Sequence, residues 1–138
     1  MWKYYALLSA LFAAITAILA KVGLREVNSN TATAIRTVVI LIITWSIVFI
    51  SHQSATIKEI NGRSWLFLIF SGVATGLSWL FYFKALQTGD ASRVAPVDKL
   101  SVVLVILFSF IFLKEPISAK VIIGGIFICL GSMIIIWH

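Results

Sequence analysis

Acidic residues are scarce in this chain: Asp and Glu number five, against eleven Lys and Arg, in 138 residues. Charge of either sign is scarce as well, at 12%, about half of what a soluble globular domain carries. A chain this short buries only part of its surface in a single core. With 61% hydrophobic residues and a mean hydropathy of +1.07, it needs a solvent other than water, and the lipid bilayer is that partner. A single cysteine, Cys129, excludes both a disulfide framework and a thiolate metal site. The two histidines, His52 and His138, belong to no HExxH pattern, and neither a nucleophile elbow nor a phosphate loop is present. No catalytic residue, cofactor or metal is expected, so the chain does not read as an enzyme. The net charge of +6 has no soluble element large enough to present it as a basic face. Juxtamembrane Lys and Arg account for it, and no nucleic-acid partner is expected.

What the chain has is five long apolar stretches, about 3–22, 32–51, 64–86, 94–113 and 119–137. A hydrocarbon core of roughly 30 Å takes about 20 helical residues to cross. Polar breaks at 23–31, 52–63, 87–93 and 114–118 separate the stretches. Backbone groups in lipid must be satisfied internally, which leaves helices or closed barrel strands. The stretches lack the alternation of barrel strands and are about twice too long for them. The expected fold is an all-α integral membrane protein of five transmembrane helices forming one domain over residues 1–138. Lys3 ahead of an apolar run has the look of a signal peptide, but the run is long and no small-x-small cleavage site follows, so it reads as a retained helix. Trp2, Tyr4, Tyr5, Trp65 and Trp137 fall near segment ends, where interfacial aromatic belts sit.

Five spans place the two termini on opposite sides. Lys3, Lys58, Arg63, Lys114 and Lys120 fall on one side, and Lys21, Arg25, Arg36, Lys84, Arg93 and Lys99 on the other, five against six. A Lys/Arg imbalance normally fixes orientation, and here there is almost none. Either details outside this count set one orientation, or copies insert both ways and pair antiparallel. The second reading has a mechanistic use, because many transporters rock two inverted repeats around a midplane site. No internal repeat is evident, so an opposed copy would supply the missing half.

Small residues mark candidate packing faces: Ala6, Ala10, Ala13 and Ala17 in the first span, Gly72 and Gly76 in the third. In the fifth, Gly125, Cys129 and Ser132 share a face, with Gly124 and Gly131 beside it. Such spacings let membrane helices approach closely, and the Ile-rich fifth span is the best candidate for a dimer seam. Polar stripes mark a candidate cavity. Ser71, Thr75, Ser78 and Tyr82 share one face of the third span, bordered by Trp79. Tyr5, Ser9 and Thr16 do so on the first, Thr37, Thr44 and Ser51 on the second, Asp98 and Ser101 on the fourth. Individually such hydroxyls bond their own helix or glue neighbours; together they suggest a polar interior.

The ionisable residues in or at the ends of the spans are Lys21, Arg36, Lys84, Asp98 and Lys99. Charges in a membrane cost several kcal/mol unless paired, hydrated or snorkelled, which makes them functional candidates. Lys21 and Lys84 are close enough to a helix end to snorkel, an account that fits Lys21 the better of the two. Arg36 is about one turn inside the second span. Asp98 is the one carboxylate in the five stretches, and a salt link from it to Arg36 or Lys84 is expected. Pro96 fits a first-turn proline of the fourth span.

The run from 72 to 136 contains Tyr82-Phe83-Lys84-Ala85-Leu86, Ala91-Ser92, Lys114-Glu115-Pro116-Ile117 and a Gly-rich helix from Gly124 to Gly131. In this combination it resembles the EamA repeat of the drug/metabolite transporter superfamily. Upstream, AKVGL at 20–24 and AIRTVV at 34–39 resemble that family's first-helix lysine and second-helix arginine. Most members carry two repeats and ten helices; this chain resembles the single-repeat, five-helix members. The resemblance implies a secondary transporter of a prokaryotic cytoplasmic (inner) membrane, working by alternating access with a second copy or a paralogue. In architecture alone the chain is also similar to the four-helix small multidrug resistance proteins. Those use an acid in the first helix, and its absence here argues against a cationic-drug substrate and simple proton antiport.

The reading that results is a transporter of a small organic solute or metabolite, built as an antiparallel homodimer or paired with a paralogue. Ser9, Thr16, Arg36, Ser78, Trp79, Tyr82, Lys84, Asp98 and Lys99 are the expected cavity or gate residues. Arg36 and the two lysines would favour a carboxylate-bearing or otherwise polar metabolite, and Trp79 and Tyr82 its apolar or planar part. Gly124, Gly125, Cys129, Gly131 and Ser132 are the expected dimer-packing residues. The alternatives are a small accessory subunit stabilising a larger membrane partner, and a lipid-linked sugar flippase.

Overall fold

A computed structural model describes residues 1–137, and among them every regular element is helical. The helices are α1 (Trp2–Gly23), α2 (Ser29–Ile50), α3 (Gly62–Thr88), α4 (Ala91–Asp98), α5 (Ser101–Phe108) and α6 (Ala119–Ile136). A 3-10 segment, Gln53–Glu59, follows α2, and a π-helical turn, Ser109–Leu113, follows α5. Helices α4 and α5 with the π turn form one span, so five spans are long and apolar enough to cross a membrane. The expected all-α membrane fold is the one observed.

Local chemistry sets the helix ends. The Asn28 side chain accepts the backbone N–H of Asn30 at 2.9 Å, and Asn61 Oδ1 accepts that of Ser64 at 2.8 Å. Both satisfy orphan donors at the starts of α2 and α3. His52 and Lys114, at φ 53° and 54°, take the left-handed conformation that closes α2 and the fourth span. Inside the spans, hydroxyls turn back on their own helices. Thr33 donates to Ser29 O, Thr37 to Thr33 O, Thr44 to Ile40 O, Ser46 to Ile42 O and Thr75 to Ser71 O, all within 2.7–2.9 Å. These residues solve the problem of an unpaired hydroxyl in lipid without needing a neighbour.

The fourth span departs from the expected continuous helix. It begins at Ala91, so Pro96 is its sixth residue and lies inside the helix, not in its first turn. Proline has no N–H to offer the carbonyl four residues back, and α4 ends two residues later at Asp98. Across the junction the bonds tighten to three-residue spacing: Lys99 N to Pro96 O, Leu100 N to Val97 O and Val102 N to Lys99 O.

The chain forms two compact units, one of residues Leu19–Gln87, the other of Met1–Ile18 with the chain from Thr88 onward. In the second of these, α4 and α5 pack on α6. Ser132 Oγ on α6 donates to Pro96 O at 2.9 Å, a second donor beside Lys99 N at the interrupted helix. Gly125 is buried, and a Cβ added there would meet Ile106 Cδ1 at 3.0 Å, so its lack of a side chain sets how closely α5 approaches. An apolar groove of about 360 Å³ between α5 and α6 is lined by Val103, Phe110, Ile126 and Cys129 among others. In the unit of Leu19–Gln87 the buried residues are Ala20, Leu24, Ser29, Thr33, Phe83 and Leu86. They come from the end of α1, the start of α2 and the end of α3, three helix ends that connectivity places on one side of the membrane. Large apolar side chains such as Ile42, Phe49, Phe70, Phe127 and Ile134 are exposed, as lipid-facing or partner-facing surface requires.

Candidate functional site

Two half-buried cations, Arg36 and Lys21, border the buried cluster in Leu19–Gln87. Arg36 follows the first residue of α2 by seven positions, which at 1.5 Å per residue puts it roughly 10 Å along the helix, two turns in. That is a turn deeper than the sequence suggests, because Asn28 starts the helix earlier than hydropathy alone would. Arg36 Cζ lies over the Phe83 ring at 4.1 Å from its centroid and over Trp79 at 6.0 Å. Trp79 and Phe83 are one helical turn apart on α3 and so share a face. Phe83 is 2% exposed and Leu86, one turn further on, 0%.

Two hydrogen bonds hold this end of the unit. Lys21 Nζ donates to Leu86 O at 2.7 Å, satisfying a carbonyl in the last turn of α3 with a cation at the negative end of the helix dipole. Gln87 Nε2 donates to Val27 O at 3.1 Å, tying the same end to the α1–α2 connection. Lys21 therefore does not simply snorkel; it fastens α1 to α3 beside the aromatic pair.

The electrostatics of Arg36 are unbalanced. Its Nη1 is buried and has no hydrogen-bond partner among the described residues. A charge deep in a span costs about 2.5–3.5 kcal/mol on insertion scales. Ring faces return about 0.5–2 kcal/mol, yet they accept no strong hydrogen bond. An unmet buried donor adds about 1–3 kcal/mol. The aromatic faces alone leave the guanidinium under-compensated.

Other expected site residues lie as follows. Tyr82 is half-buried, and its ring meets that of Phe83 edge-on at 5.5 Å. Ser78 and Lys84 are exposed. In the other unit Ser9 is exposed, Thr16 half-buried, and Asp98 lies 3.2 Å from the Nζ of its chain neighbour Lys99, at the α4–α5 junction. Of the expected dimer-packing residues, Gly125 and Ser132 are buried and Cys129 is half-buried within the chain's own unit. Gly124 and Gly131 face open space. The structure thus brings Arg36 and Trp79 together and adds Phe83 and Leu86, which the sequence reading did not single out, with Lys21, which it read as snorkelling. The signal for Phe83 was present: it follows Trp79 by four residues, within the aromatic motif.

Comparison with known proteins agrees with this architecture. The profile of the EamA-like transporter family matches residues 1–137. A protein of a Sinorhizobium species, described as an uncharacterised transporter in the cobO 3′ region, is 52% identical over 134 residues, covering 97% of this chain and 95% of its own. No solved structure matches.

Proposed function

This chain belongs to the EamA-like transporter family, and we propose that it moves a small organic solute across a prokaryotic cytoplasmic membrane by alternating access, as an antiparallel dimer. As an integral membrane protein of a transporter family it has spans to spare for little else. The observation that carries the solute reading is Arg36: a fixed charge two turns inside a span, covered by Phe83 and Trp79, with a buried nitrogen that has no acceptor. A purely structural arginine is normally paired with a carboxylate or carbonyl. An arginine whose buried donor lacks a protein acceptor is suited to take a polar solute as its partner.

The dimer reading rests on three features. The chain holds one five-helix repeat, its flanking charges are nearly balanced, and α6 carries an open small-residue face at Gly124 and Gly131. Two opposed copies recreate the inverted pair around which transporters rock.

Uptake into liposomes containing the purified chain tests the solute reading, using a panel of labelled organic acids and neutral metabolites. The Trp79→Ala/Tyr82→Ala double variant is expected to lose about tenfold or more of the uptake, the loss of roughly 1.4 kcal/mol of interaction. Uptake blind to that double variant would place the solute elsewhere. No uptake of any compound would favour an accessory role.

A further inference from the structure

The geometry points to the substrate class: Arg36 is the recognition point for the carboxylate of a small organic anion, whose apolar part lies against Trp79. This deepens the transport reading and rests on it for the passage of a solute to this depth.

Four other cations of the spans and their borders have different circumstances. Lys99 is 3.2 Å from Asp98, Arg93 is 3.8 Å from Asp90, and Lys21 donates to Leu86 O. Lys84 is exposed. Arg36 takes part in neither of those ion pairs, and its buried Nη1 meets no acceptor. A lysine in this position would answer by shedding its proton; a guanidinium cannot. The charge therefore persists, and its buried Nη1 lacks an acceptor among the described residues.

The guanidinium carbon lies over the rings of Phe83 and Trp79, and the N–H donors of a guanidinium lie in its own plane. A planar carboxylate matches that edge with two parallel charge-assisted bonds. Phe83 is sealed in the core, whereas Trp79 is half-buried and keeps ring surface free to meet a ligand. Lys21 ties the end of α1 to the end of α3, and Gln87 ties that end to the connection leading into α2, which braces the helix ends on the arginine's side of the unit. A lipid phosphate offers the same chemistry, but a phosphate stays at the interface, and Arg36 lies roughly 10 Å along its helix.

The test uses the full chain in phosphatidylcholine nanodiscs with three acids, benzoate, phenylacetate and indole-3-acetate, each beside its neutral amide. Calorimetry reads binding, and the thermal unfolding midpoint reads stabilisation. At least one acid is expected to bind saturably and about tenfold or more tighter than its amide. Arg36→Gln is expected to abolish that preference, and Arg36→Lys to keep it with roughly tenfold weaker binding, because one fork of the pair is lost. Should Arg36→Gln not fold, the acid-against-amide comparison on the native chain and on Arg36→Lys still decides.

Equal binding of acids and amides, no binding of any acid, or a preference that survives Arg36→Gln would each overturn the inference. So would phosphatidylglycerol that displaces the acids and stabilises the native chain but not Arg36→Gln, since the site would then hold a lipid headgroup. Failure here is separable from failure of the transport reading. Acid-selective binding through Arg36 without any uptake refutes transport alone, whereas uptake of a neutral solute untouched by Arg36→Gln refutes the anion alone.

Discussion

Arg36 lies over Phe83 at 4.1 Å with one nitrogen unsatisfied, so the fate of the cluster turns on side chains that carry no charge themselves. Phe83 is both the packing centre of its unit and the cover of the guanidinium. Phe83→Ala is expected to destabilise the chain by about 3–5 kcal/mol, the range for emptying a large buried aromatic site. Phe83→Leu keeps much of the volume and loses the ring face, so a smaller loss of about 1–2 kcal/mol is expected. Denaturation in graded detergent mixtures measures both; no loss in Phe83→Leu would show that the ring's interaction with Arg36 contributes nothing. At this scale the sequence named Arg36 and Trp79 but not Phe83. Polar residues stand out against an apolar background, whereas one phenylalanine among ten is marked only by its four-residue spacing from Trp79. Thr37, Thr44 and Thr75 bond their own helices, as the sequence reading expects of individual hydroxyls in a span.

Among the elements, the fourth span is the one that hydropathy misreads. An unbroken apolar run predicts an unbroken helix, and Pro96 predicts a start; the helix instead starts earlier and tightens past the proline. The Ser132 hydroxyl at 2.9 Å from Pro96 O makes α6 part of that junction. Ser132→Ala is expected to cost about 0.6–2 kcal/mol, the worth of an interhelical hydrogen bond in a membrane. The glycines of α6 divide in the same way. Gly125→Leu forces Ile106 aside and should destabilise the chain by about 1–3 kcal/mol. A Cβ at Gly124 or Gly131 meets nothing within 4 Å in one chain, so Gly124→Leu and Gly131→Leu should leave its fold intact and weaken association with a second copy. Crosslinking yield in liposomes, read beside the denaturation midpoint, separates the two effects. Unchanged crosslinking in Gly124→Leu and Gly131→Leu would move the dimer seam away from α6.

For the whole molecule, fold class and span count were legible because lipid leaves few choices: long apolar runs without alternation must be helices. Function at the family level was legible in the combination of motifs and agrees with the family match over residues 1–137. How copies assemble was not, because charge near balance constrains orientation only weakly. The central claim is that one repeat works with an oppositely oriented copy of itself. Paired reporters fused after the last residue, one active in the cytoplasm and one outside it, test this directly. Comparable signal from both sides is predicted, and it would make alternating access by a homodimer coherent. Signal from one side alone would contradict the antiparallel homodimer and require an oppositely oriented paralogue or a role other than transport.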